Sequence, residues 1–234
     1  MTSTIKFKLF DSNFYLGPTQ RYINADIAPS NLGDLIDNIP KPWQASLTDL
    51  LTQKITTSGV GFTLEYDSRD NVFSPKEGFE YQLSHLWFDD AIGSDTNYQL
   101  TEFSALNYFK VAKKWFAAVR AEVDYANTDS FLPPYATPSI SMRGVPSGRY
   151  LGNSVGVTEL EVTYEINFRW KINAFAGAAK ASNEFSTLLD SESRISKGLG
   201  FRYLIARRYG FNMGIDIAKG PEENVFYIQA GSAW

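Results

Sequence analysis

The stretch Gly59-Val60-Gly61-Phe62-Thr63-Leu64-Glu65-Tyr66-Asp67 alternates without a break, with Val60, Phe62, Leu64 and Tyr66 on one side of an extended chain and Gly59, Thr63, Glu65 and Asp67 on the other. Successive strand side chains point to opposite faces, so this period of two predicts a β-strand with one greasy and one polar face. Trp115 to Tyr125 repeats it, setting Trp115, Ala117, Val119, Ala121, Val123 and Tyr125 against Arg120, Glu122 and Asp124. Three charges on one face suit either a solvated sheet surface or the polar lumen of a barrel. The pattern returns in Phe79 to Trp87, Gly156 to Ile166, Trp170 to Ala178, Leu199 to Ile205 and Phe211 to Ile217. Tyr98 to Lys110 also reads as a strand, but Glu102 and Asn107 fall on opposite faces, which leaves its facing open.

Composition excludes a helical membrane protein and is compatible with a barrel. Every apolar stretch is interrupted by charged or amide side chains within a few positions, so none supplies the roughly 20 continuous apolar residues of a membrane-crossing helix. The mean hydropathy of -0.24 is that of a soluble protein, but a barrel averages its lipid-facing and lumen-facing rows to a similar value. Aromatic residues make up 15% of the 234 positions, with 13 Tyr and 17 Phe, which suits interfacial girdles. The final residues, Val225-Phe226-Tyr227-Ile228-Gln229-Ala230-Gly231-Ser232-Ala233-Trp234, read as a strand carrying Phe226, Ile228, Ala230 and Trp234 on one face and Tyr227, Gln229 and Gly231 on the other. A strand running to the end of the sequence predicts pairing with a first strand, because lipid tolerates no open edge. Zero Cys and one His argue against disulfides and soft-metal sites, and the net charge of -4 argues against a nucleic-acid partner.

Asp11-Ser12-Asn13, Lys113-Lys114, Asn167-Phe168-Arg169 and Arg207-Arg208-Tyr209-Gly210 read as tight turns toward the periplasm, and residues 28 to 53, 128 to 152 and 184 to 197 as long outer loops. The first of these, Leu32 to Leu51, has Asn31 as an N-cap candidate and the spacing of a short helix interrupted by Pro40 and Pro42. Counting from Ile5 to Leu9 through to Trp234 gives about 11 strands. An odd count would put Met1 outside the cell, and residues 1 to 8 lack the apolar core of a secretory signal. The expectation is that 1–234 forms an outer-membrane barrel domain, as the C-terminal portion of a longer protein whose first strands and signal peptide lie upstream.

Two loops are more specific. Asp67-Ser68-Arg69-Asp70-Asn71-Val72-Phe73-Ser74-Pro75-Lys76-Glu77-Gly78 pairs a carboxylate and a guanidinium at its start with a Pro and a Gly that force a reversal. Met142-Arg143-Gly144-Val145-Pro146 lies within the long loop of the second half, ahead of Arg149-Tyr150-Leu151-Gly152-Asn153. With Gly198-Leu199-Gly200-Phe201-Arg202 and the terminal strand, these loops resemble the C-terminal barrel of the BamA/TamA-type outer-membrane superfamily, the bacterial surface antigen family, over roughly residues 54 to 234. The resemblance implies an all-β, antiparallel transmembrane barrel, part of one with up to about 16 strands. It implies a loop folded into the lumen with Arg143 and Gly144 at its tip and Glu161 as the inner-wall acid. Asp67, Arg69, Pro75 and Gly78 mark a periplasmic turn, and Phe226, Ile228 and Trp234 an assembly signal read by the barrel-assembly machinery. Met142 and Val145 depart from the usual Val and aromatic, and Gly177 stands where an inward Asp often follows Phe175 by two, which leaves fewer acids for docking.

The docking also follows from charge, since a guanidinium among Glu159, Glu161, Glu165, Glu122 and Asp124 would be held by charge-assisted bonds, and Gly144 would allow close approach or positive φ. Catalytic candidates are sparse. His85 shares an outward row with Tyr81, Leu83 and Trp87, while Ser84, its neighbour on a strand, faces the other way. The Glu159, Glu161, Glu165 row reads as a lumen wall neutralised by Arg143, Arg120 and Arg202 rather than as a glycosidase pair or hard-cation site, and Asp190-Ser191-Glu192-Ser193 lacks the spacing of a calcium loop. No enzyme, cofactor or metal is expected. The implied function is insertion or translocation of proteins or lipids in the outer membrane, with membrane lipid and unfolded outer-membrane or secreted proteins as partners. The alternatives are a passive pore or structural surface antigen, and the membrane anchor of a larger enzyme such as a lipase fusion.

Overall fold

A computed structural model describes residues 1–27, 53–128, 132–232 and 234. The short helix expected within Leu32 to Leu51 lies outside the described residues. The remainder is one antiparallel sheet of β1 (Thr2–Thr4), β2 (Phe7–Lys8), β3 (Phe14–Ile27), β4 (Gln53–Asp67), β5 (Gly78–Phe88), β6 (Tyr98–Ala112), β7 (Trp115–Asn127), β8 (Ser154–Glu165), β9 (Trp170–Ser182), β10 (Arg194–Ala206), β11 (Phe211–Lys219) and β12 (Asn224–Ala230). From β3 onward each strand pairs with its sequence neighbours. β1 and β2 are two short pieces laid end to end on the free side of β3, so 12 strands make 11 rows, as counted from sequence. No pairing between the first row and β12 occurs among the described residues.

The expected facings hold along the wall. Val60, Phe62, Leu83, Trp115, Leu160, Ile172, Leu199, Ile217, Phe226 and Ile228 are exposed together on one side, and Leu199, at 68%, and Phe226, at 71%, are far too exposed for a sandwich core. Such a surface is stable against acyl chains, not against water. Aromatic pairs line its lower end, the end of the tight turns, with ring centroids 4.9 Å apart for Phe14 and Tyr66, 4.8 Å for Trp115 and Tyr164, and 4.8 Å for Trp170 and Tyr203. The open question over β6 resolves by register: Glu102 lies opposite Asp124 and faces inward, and Asn107 lies opposite Val119 on the apolar side. There the Asn107 amide oxygen accepts a 2.8 Å bond from the Tyr81 hydroxyl, which satisfies a polar group that lipid cannot.

Three expectations need correction. Loop length does not alternate strictly, because the Asp67 to Gly78 connection is long and lies at the lower end, while 220–223 is a short upper turn. The outer loop placed at 184 to 197 is shorter, since β10 begins at Arg194 and Phe185–Asp190 forms a 3-10 helix. The interior is not uniformly polar either. In its upper half Leu86, Phe88, Tyr98, Leu100 and Ala126 point inward and pack with Leu132 and Ala136 of the 128–153 loop, Phe88 stacking on Tyr98 at 4.1 Å. Ile140, Met142 and Val145 of the same loop pack with Val155, Val157 and Ala179 of the wall. Burying a large apolar side chain is worth roughly 1.5–3 kcal/mol, so these two clusters hold the loop inside by the hydrophobic effect before any charge is counted.

Candidate functional site: a loop docked in the barrel interior

Residues 132–153, the described part of the loop, lie inside the upper end and place Arg143 against three strands. Arg143 Nη1 lies 2.6 Å from Glu161 Oε2 and 3.1 Å from Asp216 Oδ2, and Nε lies 3.3 Å from Glu159 Oε1. Glu159 and Glu161 are two apart on β8 and so share its inner face, while Asp216 projects from β11. The guanidinium also stacks on an inward ring of β9, its Cζ 3.7 Å from the Phe175 centroid, with the Trp234 ring 5.2 Å away. Stacked and paired in this way, a cation can be withdrawn from water, and only 6% of Arg143 is exposed.

Other charges complete the balance. Arg202 on β10 forms a two-pronged bond to Asp216, at 2.5 and 2.8 Å, so one carboxylate joins the wall to the loop. Arg120 on β7 donates to Glu159 at 2.7 Å and to the carbonyl of Ser141 at 2.8 Å, and it also pairs with Glu122. Asn173 donates to Glu161 at 3.2 Å. Glu159 and Asp216 are fully buried, and each is paired with guanidinium groups that offset the cost of taking a carboxylate out of water.

The tip turns at Gly144, whose φ of +87° is the left-handed conformation glycine adopts freely. Its N–H donates 2.9 Å to the Tyr227 hydroxyl on β12, and the Ser196 hydroxyl on β10 donates 2.5 Å to the Arg143 carbonyl. A Cβ on Gly144 would sit 3.2 Å from the Gly220 backbone, and one on Gly220 only 1.7 Å from the Gly144 carbonyl oxygen. Two glycines are therefore needed for the loop tip to touch the β11–β12 turn.

Of the residues expected at this site, Arg143, Gly144 and Glu161 are brought together. Docking rests on three acids rather than fewer. Glu159 is among the acids that the sequence places around the guanidinium, whereas nothing in the sequence links Asp216 to the loop. The signal for Asp216 was its inward position beside Arg202, on a strand far from the loop in sequence. Gly177 has its own explanation: a Cβ there would meet Met142 Sδ at 2.6 Å and Glu159 Cγ at 2.8 Å, so the missing Asp side chain makes room for the unusual Met142.

In the other loop Asp67 accepts from the Arg69 backbone at 3.0 Å and from its guanidinium at 3.0 and 2.9 Å, and Arg69 reaches Glu80 at 2.5 Å. Gly78 has φ +108°, and a Cβ there would lie 2.4 Å from the Ser68 carbonyl oxygen. Beyond Arg69 the loop crosses the lower mouth. Ser74, next to Pro75, accepts 2.7 Å from Asn212, Asn71 donates 3.1 Å to the Tyr209 carbonyl, Phe73 meets Phe211 edge-on at 5.9 Å, and Lys76 pairs with Glu165 at 2.8 Å. These contacts span from β4 and β5 to β8 and β11, which requires a strongly curled sheet. Phe226 and Ile228 project outward from β12, but Trp234 does not continue their row. β12 ends at Ala230, Gly231 takes φ +89°, and the Trp234 indole N–H donates 2.9 Å to Glu159 inside. Ser84 and His85 diverge: Ser84 meets Thr63 at 2.9 Å inside, and His85 Nδ1 meets Thr101 at 2.9 Å outside.

At the upper rim Arg149 Nε lies 3.0 Å and the Tyr150 hydroxyl 2.7 Å from Glu222 in the β11–β12 turn. Hydrogen bonds from Tyr150 and Arg149 hold the Glu222 carboxyl below its usual range. A depressed carboxyl contributes above its unfolded pKa and is lost as pH falls through the folded one. A spin label at Ser147→Cys, in a chain without other cysteines, should gain mobility below about pH 4 and stay unchanged between about pH 5 and 8. Glu222→Gln should remove that dependence.

A curled antiparallel sheet with an apolar exterior, aromatic rows and an inward-docked loop defines a transmembrane β-barrel. The chain belongs to the Omp85 superfamily, whose domain matches residues 12–234, and this places it in the bacterial outer membrane, as its kinship with BamA/TamA-type barrels implied. Among solved structures, BamA from Haemophilus ducreyi lacking POTRA domains 1-3 superposes with a TM-score of 0.66 at 16% identity, over 98% of this chain and 53% of that one. The chain thus spans about half the length of that structure, and the likeness concerns the fold. No curated protein matches the sequence.

Proposed function

We propose that this chain is the C-terminal portion of a larger outer-membrane barrel that inserts or translocates proteins, with further strands upstream completing its wall. The observation that carries this is the docked loop: Arg143 ties one loop to β8 and β11, and Gly144 adds β12, so the last described strand, which no described strand pairs on its free side, is braced from inside. Membrane lipid contacts the outward rows, and unfolded outer-membrane proteins are the substrates. Phe226 and Ile228, fully displayed on β12, serve with Trp234 as the segment that the barrel-assembly machinery reads. A passive wide pore fits less well, because residues 132–145 pack into the upper interior and the 68–77 loop spans the lower mouth. The test is to reconstitute the full-length protein in vesicles and follow folding of a urea-denatured outer-membrane barrel by its gel mobility. Folding should be faster than in empty vesicles by about tenfold, a barrier change of about 1.4 kcal/mol. No acceleration, together with a large steady conductance in planar bilayers, would favour the pore.

A further inference from the structure

The outward rows of the strands carry few charges among the residues with described side chains. Among strand residues with described side chains, the charged residues on that face are Lys180, Lys197 and Lys219, on the adjacent strands β9, β10 and β11, with no acid among them. Lys180 donates to the Leu189 carbonyl of the loop above it. Lys197 and Lys219 are different: they are directly opposed partners in the sheet, both exposed, and neither makes a hydrogen bond or ion pair with another described residue. Opposed residues of an antiparallel pair have Cα atoms about 4.5–5.5 Å apart, and like charges so placed repel. The pair is embedded in grease, with Ile195 and Leu199 on either side along β10 and Ile217 below on β11, all more than 60% exposed.

Two unpaired ammonium groups on a lipid-facing row are unfavourable unless an anion lies between them. Lys219 ends β11 and Lys197 is the fourth residue of β10, so both belong to the upper half, the side of the outer loops. The long flexible stems let the heads converge on one point at the lipid boundary. We propose that Lys197 and Lys219 form a binding site for the phosphate group of an anionic lipid of the outer leaflet, the acyl chains lying over Leu199 and Ile217. The site rests on the outer-membrane reading above, and it anchors a lipid beside the last described strands. A lipid headgroup rather than free phosphate is the occupant because the apolar residues beside the charges, Ile195, Leu199 and Ile217, are left exposed by the described residues and offer acyl chains a surface that free phosphate would not use.

The test uses the full-length protein in zwitterionic micelles, probed by native mass spectrometry with lipid A carrying two phosphates and with the same lipid A after phosphate removal. Juxtamembrane cations attract anionic lipid by about fivefold each, so K197Q/K219Q should lower retention of phosphorylated lipid A by about 25-fold. K197R/K219R should retain it, and the dephosphorylated lipid should not distinguish the variants. Equal retention by wild type and the Gln variant overturns the site, and displacement of lipid A by inorganic phosphate at matched concentration overturns the lipid as its occupant. Heat-modifiable gel mobility and entry into vesicles are read in parallel. A protein that fails both refutes the barrel itself, whereas one that passes both and ignores the phosphates refutes only this site.

Discussion

Arg143→Ala should cost the folded barrel about 3–5 kcal/mol, the penalty for removing one partner from a buried ionic cluster. The loss comes less from the missing bonds than from what remains: Glu159, Glu161 and Asp216 lose a shared cation, and only Glu159 and Asp216 keep a guanidinium of their own, from Arg120 and Arg202. Two measurements report it, the urea midpoint of the folded gel band and the rate at which protease cuts the 128–153 loop. Both should move, the midpoint downward and the cleavage upward. Arg143→Lys should recover part of the stability, because an ammonium keeps the charge but cannot stack on Phe175 or present two prongs. An unchanged midpoint in Arg143→Ala would mean that the apolar clusters hold the loop unaided.

Gly220→Ala should destabilise by about 1–3 kcal/mol, the usual cost of forcing a methyl into a filled space, although it removes no contact. The added Cβ would overlap the Gly144 carbonyl oxygen at 1.7 Å, and a backbone oxygen cannot swing aside as a flexible side chain does. The tip must therefore retreat, and with it the 2.9 Å bond from Gly144 to Tyr227. Gly148→Ala, in the same loop, has open space around its Cβ and loses only the comfort of a positive φ. Comparing the two separates steric displacement of the tip from a general effect of glycine loss. Equal urea midpoints for the two variants would contradict the tip contact.

Much of the barrel was legible because strand facing is a local property. Each row of alternating residues states its own lipid side, and turns such as Lys113-Lys114 state where it reverses. Docking of Arg143 on Glu161 was legible through motif resemblance and through charge. Asp216 was not linked to the loop, since it lies 73 positions away and meets Arg143 only when the sheet curls. Trp234 was misplaced for a related reason: alternation assumes the strand continues, but the positive φ of Gly231 ends it and turns the last ring inward. Leu86 and Phe88 carry the same lesson. They sit on the inner face by parity, but only the loop that covers them explains why apolar residues are stable there. Asn107 obscured the facing of β6 because its partner, the Tyr81 hydroxyl, comes from another strand.

The tryptophans test the inside and outside of the barrel most directly. Single-tryptophan variants keeping Trp115, Trp170 or Trp234, with the others changed to Phe, would be reconstituted in vesicles of brominated lipid, whose acyl chains quench fluorescence on contact. Trp115 and Trp170 stand exposed on the apolar rows, and Trp234 donates to Glu159 within the lumen. Strong quenching of the first two with little quenching of Trp234 is the predicted result. Strong quenching of Trp234, or protection of Trp115 and Trp170, would contradict the assignment of the greasy rows to lipid and the charged rows to the interior.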